Sequence, residues 1–207
     1  MFKMKNNKNG IKNFILVSSA NVLVAFLDLF LTYIGTPTLT MEGNPLITEL
    51  SLGWPALIGI NVVVSSGLVW MAYYAHIKYK APESKERIIK RYVNDITYGD
   101  PDINSFAGAR WPKFWGPQIA CLCWAVTIAV PIARMLIVIE WIMIDFRIYF
   151  PPYFRFVALF PMGRIDFFTA VILAWIFSFV WIQLEYNKNL DRLNAMEETE
   201  KEENGEV

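Results

Sequence analysis

Four apolar stretches constrain this chain more than any other feature: residues 13–35, 54–76, 115–144 and 165–184. A helix rises about 1.5 Å per residue, so ~20 apolar residues cross the ~30 Å hydrocarbon core of a bilayer. In lipid each backbone amide and carbonyl must be satisfied internally, and a helix does this within one segment. The expected fold is therefore all-α, an integral membrane bundle of about four transmembrane helices, with no globular core to build in water. Composition agrees: 55% of the 207 residues are hydrophobic and 18% charged, well to the apolar side of a soluble domain.

Between the apolar stretches the chain divides into a basic N-terminal segment 1–12, helices 1 and 2 over 13–76, a basic loop 77–113, helices 3 and 4 over 114–186, and an acidic tail 187–207 expected to be disordered. The first stretch is too long for a cleaved signal peptide, and Asn21 and Asp28 interrupt it, so a retained anchor helix is expected. Within the basic loop, residues 82–92 are expected to form a surface helix with Ile88, Ile89 and Tyr92 toward the membrane. Helix 3 contains Pro131, Arg134 and Glu140, which predicts a tilted or kinked segment emerging near Arg134 to Glu140. Residues 141–164, interrupted by Pro151 and Pro152, are expected to lie in the interface or to re-enter shallowly.

Lys and Arg set the orientation, because cytoplasmic loops carry the excess. The N-terminal segment, the 77–113 loop and the tail hold fifteen of the nineteen; the two opposite loops hold three, and Arg134 lies within helix 3. Both termini and the basic loop are expected on the cytoplasmic side of a plasma membrane. The basic loop, at Lys78, Lys80, Lys85, Arg87, Lys90 and Arg91, is expected to touch anionic lipid. Net charge is zero, which argues against nucleic acid as a partner. A protein partner or a second copy of the chain is compatible with the pattern.

Helix 1 carries the most informative residues. Ser18, Asn21, Asp28 and Thr32 fall at offsets 0, 3, 10 and 14, within about 80° of one another at ~100° per residue. Such a polar stripe must face protein or water, since a bare carboxylate in lipid is costly. Counting from the helix ends places Asp28 roughly 22 Å and Arg134 roughly 28 Å above the inner surface. They are expected to pair, with Asn61 and Thr32 as hydrogen-bond partners. Glu42 and Asn44 follow just outside the same level. Asn44 before Pro45 favours a turn, and either side chain is suited to cap the segment that follows; oxygen coordination of a divalent cation is the minor alternative.

The run Asp28-Leu29-Phe30-Leu31-Thr32 followed by Glu42-Gly43-Asn44-Pro45 resembles the D-x-x-x-T, E-x-N-P signature of a family of small membrane proteins catalogued as domain of unknown function 5658. The resemblance covers about the first 50 residues. It implies that Asp28, Thr32, Glu42, Asn44 and Pro45 act as one unit, and it carries no activity.

Recognised catalytic patterns are lacking. His76 is the sole histidine, too few for a histidine metal site, and a headgroup contact is its expected role. Cys121 and Cys123, two residues apart, point away from each other on a helix and are read as small buried hydrophobes. Gly59, Ser66 and Gly67 are expected to form a close-packing face on helix 2, and Glu185 to pair with His76 or Lys188. No metal and no cofactor are expected. The pattern favours a structural or accessory membrane subunit with an outer-face polar cluster, ahead of a transporter or channel component, and ahead of a membrane-embedded enzyme acting on a lipid-linked substrate.

Overall fold

The computed structural model describes residues 2–39, 47, 52–103, 111–148, 150–157, 159 and 165–204. Every regular element among them is helical: α1 (Phe2–Gly35), α2 (Trp54–Tyr73, continued by one π turn, Tyr74–Lys78), α3 (Ile89–Tyr98), α4 (Gly116–Asp145), α5 (Pro151–Val157) and α6 (Ile165–Glu203). Four helices, over Lys8–Gly35, Trp54–Lys78, Gly116–Asp145 and Ile165–Glu202, are long and apolar enough to cross a membrane. The chain is thus an all-α protein with four candidate spans. It divides into two compact units, residues 1–78 with 123–177, and residues 79–122 with 178–207.

In the first unit, α1 and α2 form an antiparallel hairpin. Phe14 meets Tyr73 edge-on at 6.1 Å, Tyr33 meets Trp54 at 5.3 Å, and Trp54 Nε1 donates to the Pro37 carbonyl at 2.7 Å. Pro37 follows the last turn of α1, where it cannot continue the helix. Gly53 and Pro55 open α2, the Gly53 carbonyl accepting from Ala56 and Leu57. Close approach explains two glycines: a Cβ on Gly10 would stand 2.6 Å from the His76 carbonyl, and one on Gly35 2.7 Å from Asp145 Oδ1 and 2.8 Å from the Trp141 ring.

Along α1, polar side chains are buried while large apolar ones are exposed. Asn21 and Thr32 are each 3% exposed, whereas Leu16, Leu23 and Phe26 on the same helix are 57–70% exposed. In a bilayer that outer surface faces hydrocarbon, and the polar groups are the ones that need protein.

The second unit departs from expectation in three ways. Residues 82–88 are not helical; the surface helix begins at Ile89 and ends at Gly99, whose φ of +68° closes it with an N–H bond to the Asp95 carbonyl. Tyr92 does not face outward but is 1% exposed against Tyr186, their rings 5.7 Å apart. The acidic tail, expected to be disordered, continues α6 as helix to Glu203. Its Leu-, Ala-, Met- and Glu-rich sequence favours helix, and Glu197 pairs with Arg87 across the unit.

Helix α4 ends at Asp145 and, after non-helical residues 146–148 and 150, Pro151 and Pro152 open only the short α5, since proline is at home in a first helical turn; the segment is broken as expected. One further expectation changes. Gly59 and Gly67 have nothing within 4 Å of an added Cβ, so they sit on an open face of α2 rather than in a tight helix contact.

Candidate functional site

Positions 14, 18, 21, 25, 28, 32 and 35 of α1 alternate steps of four and three residues, a heptad seam. None of these seven is exposed, and they carry the whole predicted polar stripe, Ser18, Asn21, Asp28 and Thr32. The seam meets α4 with a constant register. Asn21 Nδ2 donates to the Thr127 carbonyl at 2.8 Å, and Gly35 abuts Trp141, so both contacts link residues 106 apart. The two helices therefore run parallel.

The Asn21 bond has a specific cause in the sequence. Proline has no amide hydrogen, so Pro131 withholds the intrahelical bond that the carbonyl four residues earlier would accept. That carbonyl belongs to Thr127. In hydrocarbon a freed carbonyl must find another donor, and Asn21 supplies it from the neighbouring helix. The same amide nitrogen also reaches its own helix at the Val17 carbonyl, 2.9 Å away. Thr127, fully buried, turns its hydroxyl back to the carbonyls of Cys123 and Trp124 at 2.8 and 3.0 Å.

The same register sets Asp28 level with Arg134, as the depth count expected. The expected ion pair is nevertheless not formed: no bridge links Asp28 to Arg134 among the described residues, and Arg134 Nη1 is buried with no hydrogen-bond partner among them. Equal depth brings two side chains to one level, but their rotamers and lateral placement decide contact. Asn61 lies 8% exposed on the buried face of α2 with Leu57, Leu68 and Ala72. Its Nδ2 donates to the Leu57 carbonyl at 3.1 Å. The hairpin register sets it level with residue 26, about half a turn from Asp28. Thr32 is buried near the C-terminal end of the seam, where its carbonyl accepts from Thr36 N–H at 2.8 Å. Glu42 and Asn44 lie outside the described residues. No group of three or more His, Cys, Asp or Glu side chains among the described residues is placed to hold a metal ion.

A second constellation lies in the other unit, and of it only the Glu185–Lys188 pair was expected from the sequence. The extended segment before α3 lies along α6, and side chains three residues apart on that helix take its carbonyls in order. Arg192 donates to the Ser84 carbonyl at 2.7 Å, Asn189 to Glu86 at 3.2 Å and the Tyr186 hydroxyl to Arg87 at 2.6 Å. Arg87 pairs with Glu197 and with Asn194, Arg192 with Glu83, and Arg91 with Glu86 at 2.7 Å and Asp102 at 3.2 Å. Glu185, 7% exposed, is paired with Lys188. The only sequence signal for the carbonyl bonds was the Tyr186, Asn189, Arg192 spacing, which lines one helix face. Burial, and next the nearby Glu185 carboxylate, push the Tyr92 phenol up to about 12.

The fold and the seam together define a helical protein with four helices long and apolar enough to cross a membrane and an inward polar stripe on the first. Beyond that class the comparisons are silent: no protein-family model, no curated protein and no solved structure matches the chain.

Proposed function

We propose that the protein is a structural or accessory subunit of a plasma membrane, with both termini and the 77–113 segment on the cytoplasmic side. The observation that carries this reading is the Asn21 bond to the proline-freed Thr127 carbonyl. Asn21, within the α1 stripe, is engaged by a neighbouring helix, as a fastener is, and this is the simplest use of costly intramembrane polarity. Orientation is supported by the fifteen cationic residues on one side against three on the other. Exposure of Lys78, Lys80, Lys85 and Lys90 supports contact with anionic headgroups, while Arg87 and Arg91 are already paired within the chain. The resemblance to the family catalogued as domain of unknown function 5658 rests on residues 28–32 and 42–45 alone and adds no activity.

Thermal stability and monodispersity in detergent of wild type, Asn21→Leu, Asp28→Asn and Arg134→Gln test the proposal. A fastener loses stability, by about 1–3 kcal/mol for Asn21→Leu because the Thr127 carbonyl is left unsatisfied in the interior. Variants that fold and run as single species indistinguishable from wild type would show that the stripe is kept for a ligand instead.

A further inference from the structure

Several buried polar atoms without partners lie on the α1 seam and on the helix faces beside it, while Gln118 Oε1 and Arg192 Nε are such atoms among the described residues of the other unit. Among the described residues Ser18 Oγ, Asn21 Oδ1, Asn61 Oδ1, Arg134 Nη1 and Asp145 Oδ2 are buried with no hydrogen-bond partner. Three of the five, Asn61, Arg134 and Asp145, stand on faces of neighbouring helices turned to α1. Ser18 and Asn21 belong to its heptad seam. Arg134 follows Thr127 by one heptad, and Asp145 lies five full turns beyond Thr127, its carboxylate against Gly35. Asn61 shares the buried face of α2, whose Trp54, one heptad earlier, packs on Tyr33. Neither amide orphan is an artefact of orientation: Asn21 Nδ2 serves two carbonyls and Asn61 Nδ2 one, so a flipped amide would set oxygen against oxygen.

Both asparagines are more than nine-tenths buried, at 3% and 8% exposed, and buried polar atoms in native proteins are almost always satisfied, by ordered water where protein does not reach. The chemistry of the orphans selects among ligands. Two amide oxygens and a carboxylate oxygen accept, a guanidinium N–H donates, and a hydroxyl does both. A cation would meet the Arg134 guanidinium and an anion the Asp145 carboxylate and both amide oxygens. Water, with two donors and two acceptors, suits every member.

We propose that the α1 seam binds a file of ordered water molecules running from Ser18 past Asn21, Asn61 and Arg134 to Asp145. From Ser18 to Gly35 the seam covers roughly 25 Å at ~1.5 Å per residue, most of a ~30 Å hydrocarbon core. The file does not depend on the fastening role of Asn21: the amide nitrogen does the fastening and the oxygen takes the water.

Water-edited solid-state NMR of the full-length, isotope-labelled protein in bilayers tests this. Magnetisation from water should reach the side-chain amides of Asn21 and Asn61 several-fold faster than the buried methyl groups of Leu68 and Ala129. Transfer at both amides as slow as at those methyls overturns the proposal, and so does fast transfer at only one, which describes an isolated water. Asn61→Leu, which interrupts the file, should slow transfer at Asn21; an unchanged rate there shows separate sites and also overturns it. Should that variant fail to fold, the wild-type comparison still decides. Loss of stability in Asn21→Leu without fast transfer would leave the fastening role standing and remove the water file.

Discussion

At Asn21 one amide answers a defect created 110 positions away by Pro131. A proline inside a transmembrane helix is tolerated when something else bonds the carbonyl it releases, and that dependence can be measured. Asn21→Ala should destabilise the wild-type protein by about 1–3 kcal/mol. In a Pro131→Ala background, where residue 131 can donate to the Thr127 carbonyl, the same change should cost much less. A double-mutant cycle by thermal unfolding in detergent reads the difference; equal costs in both backgrounds would separate Asn21 from Pro131. Tyr92 offers a second test at this scale. Its phenol titrates near 12 in the folded protein against about 10 in an unfolded chain. A raised folded value means that native protein holds the proton more tightly, so its stabilising contribution is complete below pH ~10 and is lost as pH rises toward ~12. Unfolding followed against pH should show that decline in wild type and a shallower one in Tyr92→Phe.

The elements show two ways of meeting the same rule, that buried backbone polar groups must be bonded. α1 meets it within itself, except where its seam repairs α4. The extended segment 79–88 forms no helix or strand of its own, and α6 instead takes its carbonyls through Tyr186, Asn189 and Arg192. Removing a charged donor costs more than removing a neutral one, about 1.5–3 against 0.5–1.5 kcal/mol. Arg192→Ala should therefore raise hydrogen exchange across residues 79–88 more than Asn189→Ala does, and breaking the exposed Arg87–Glu197 pair with Glu197→Gln should change it least. Mass-spectrometric exchange in detergent gives the order, and a different order would mean that the carbonyl bonds do not hold the segment.

For the molecule as a whole the testable property is its topology. If both termini and the 77–113 segment are cytoplasmic, single cysteines introduced as Lys85→Cys or Lys201→Cys into a chain lacking Cys121 and Cys123 should react with an impermeant maleimide only after the membrane is opened. Labelling of intact cells at either site would reverse the orientation. Asp28 and Arg134 belong to this scale too, because they are set at one depth by helices that run parallel, and lacking a bridge they should show little coupling in a double-mutant cycle.

The number of spans, their extents to within a turn at most ends, the inward polar stripe and the asymmetry of Lys and Arg were legible in the residues, because each depends on a window of about 20 residues or on the angular period of one helix. The end of α6 was not, since its acidic tail reads by charge as disordered while its helix propensity and its partners on another segment favour order. The bond from Asn21 to Thr127, the missing bridge between Asp28 and Arg134, and the capture of residues 84–87 by α6 were decided by tertiary structure. Each turns on side chains 99–108 positions apart, and periodicity fixes which face a residue occupies without fixing what stands opposite.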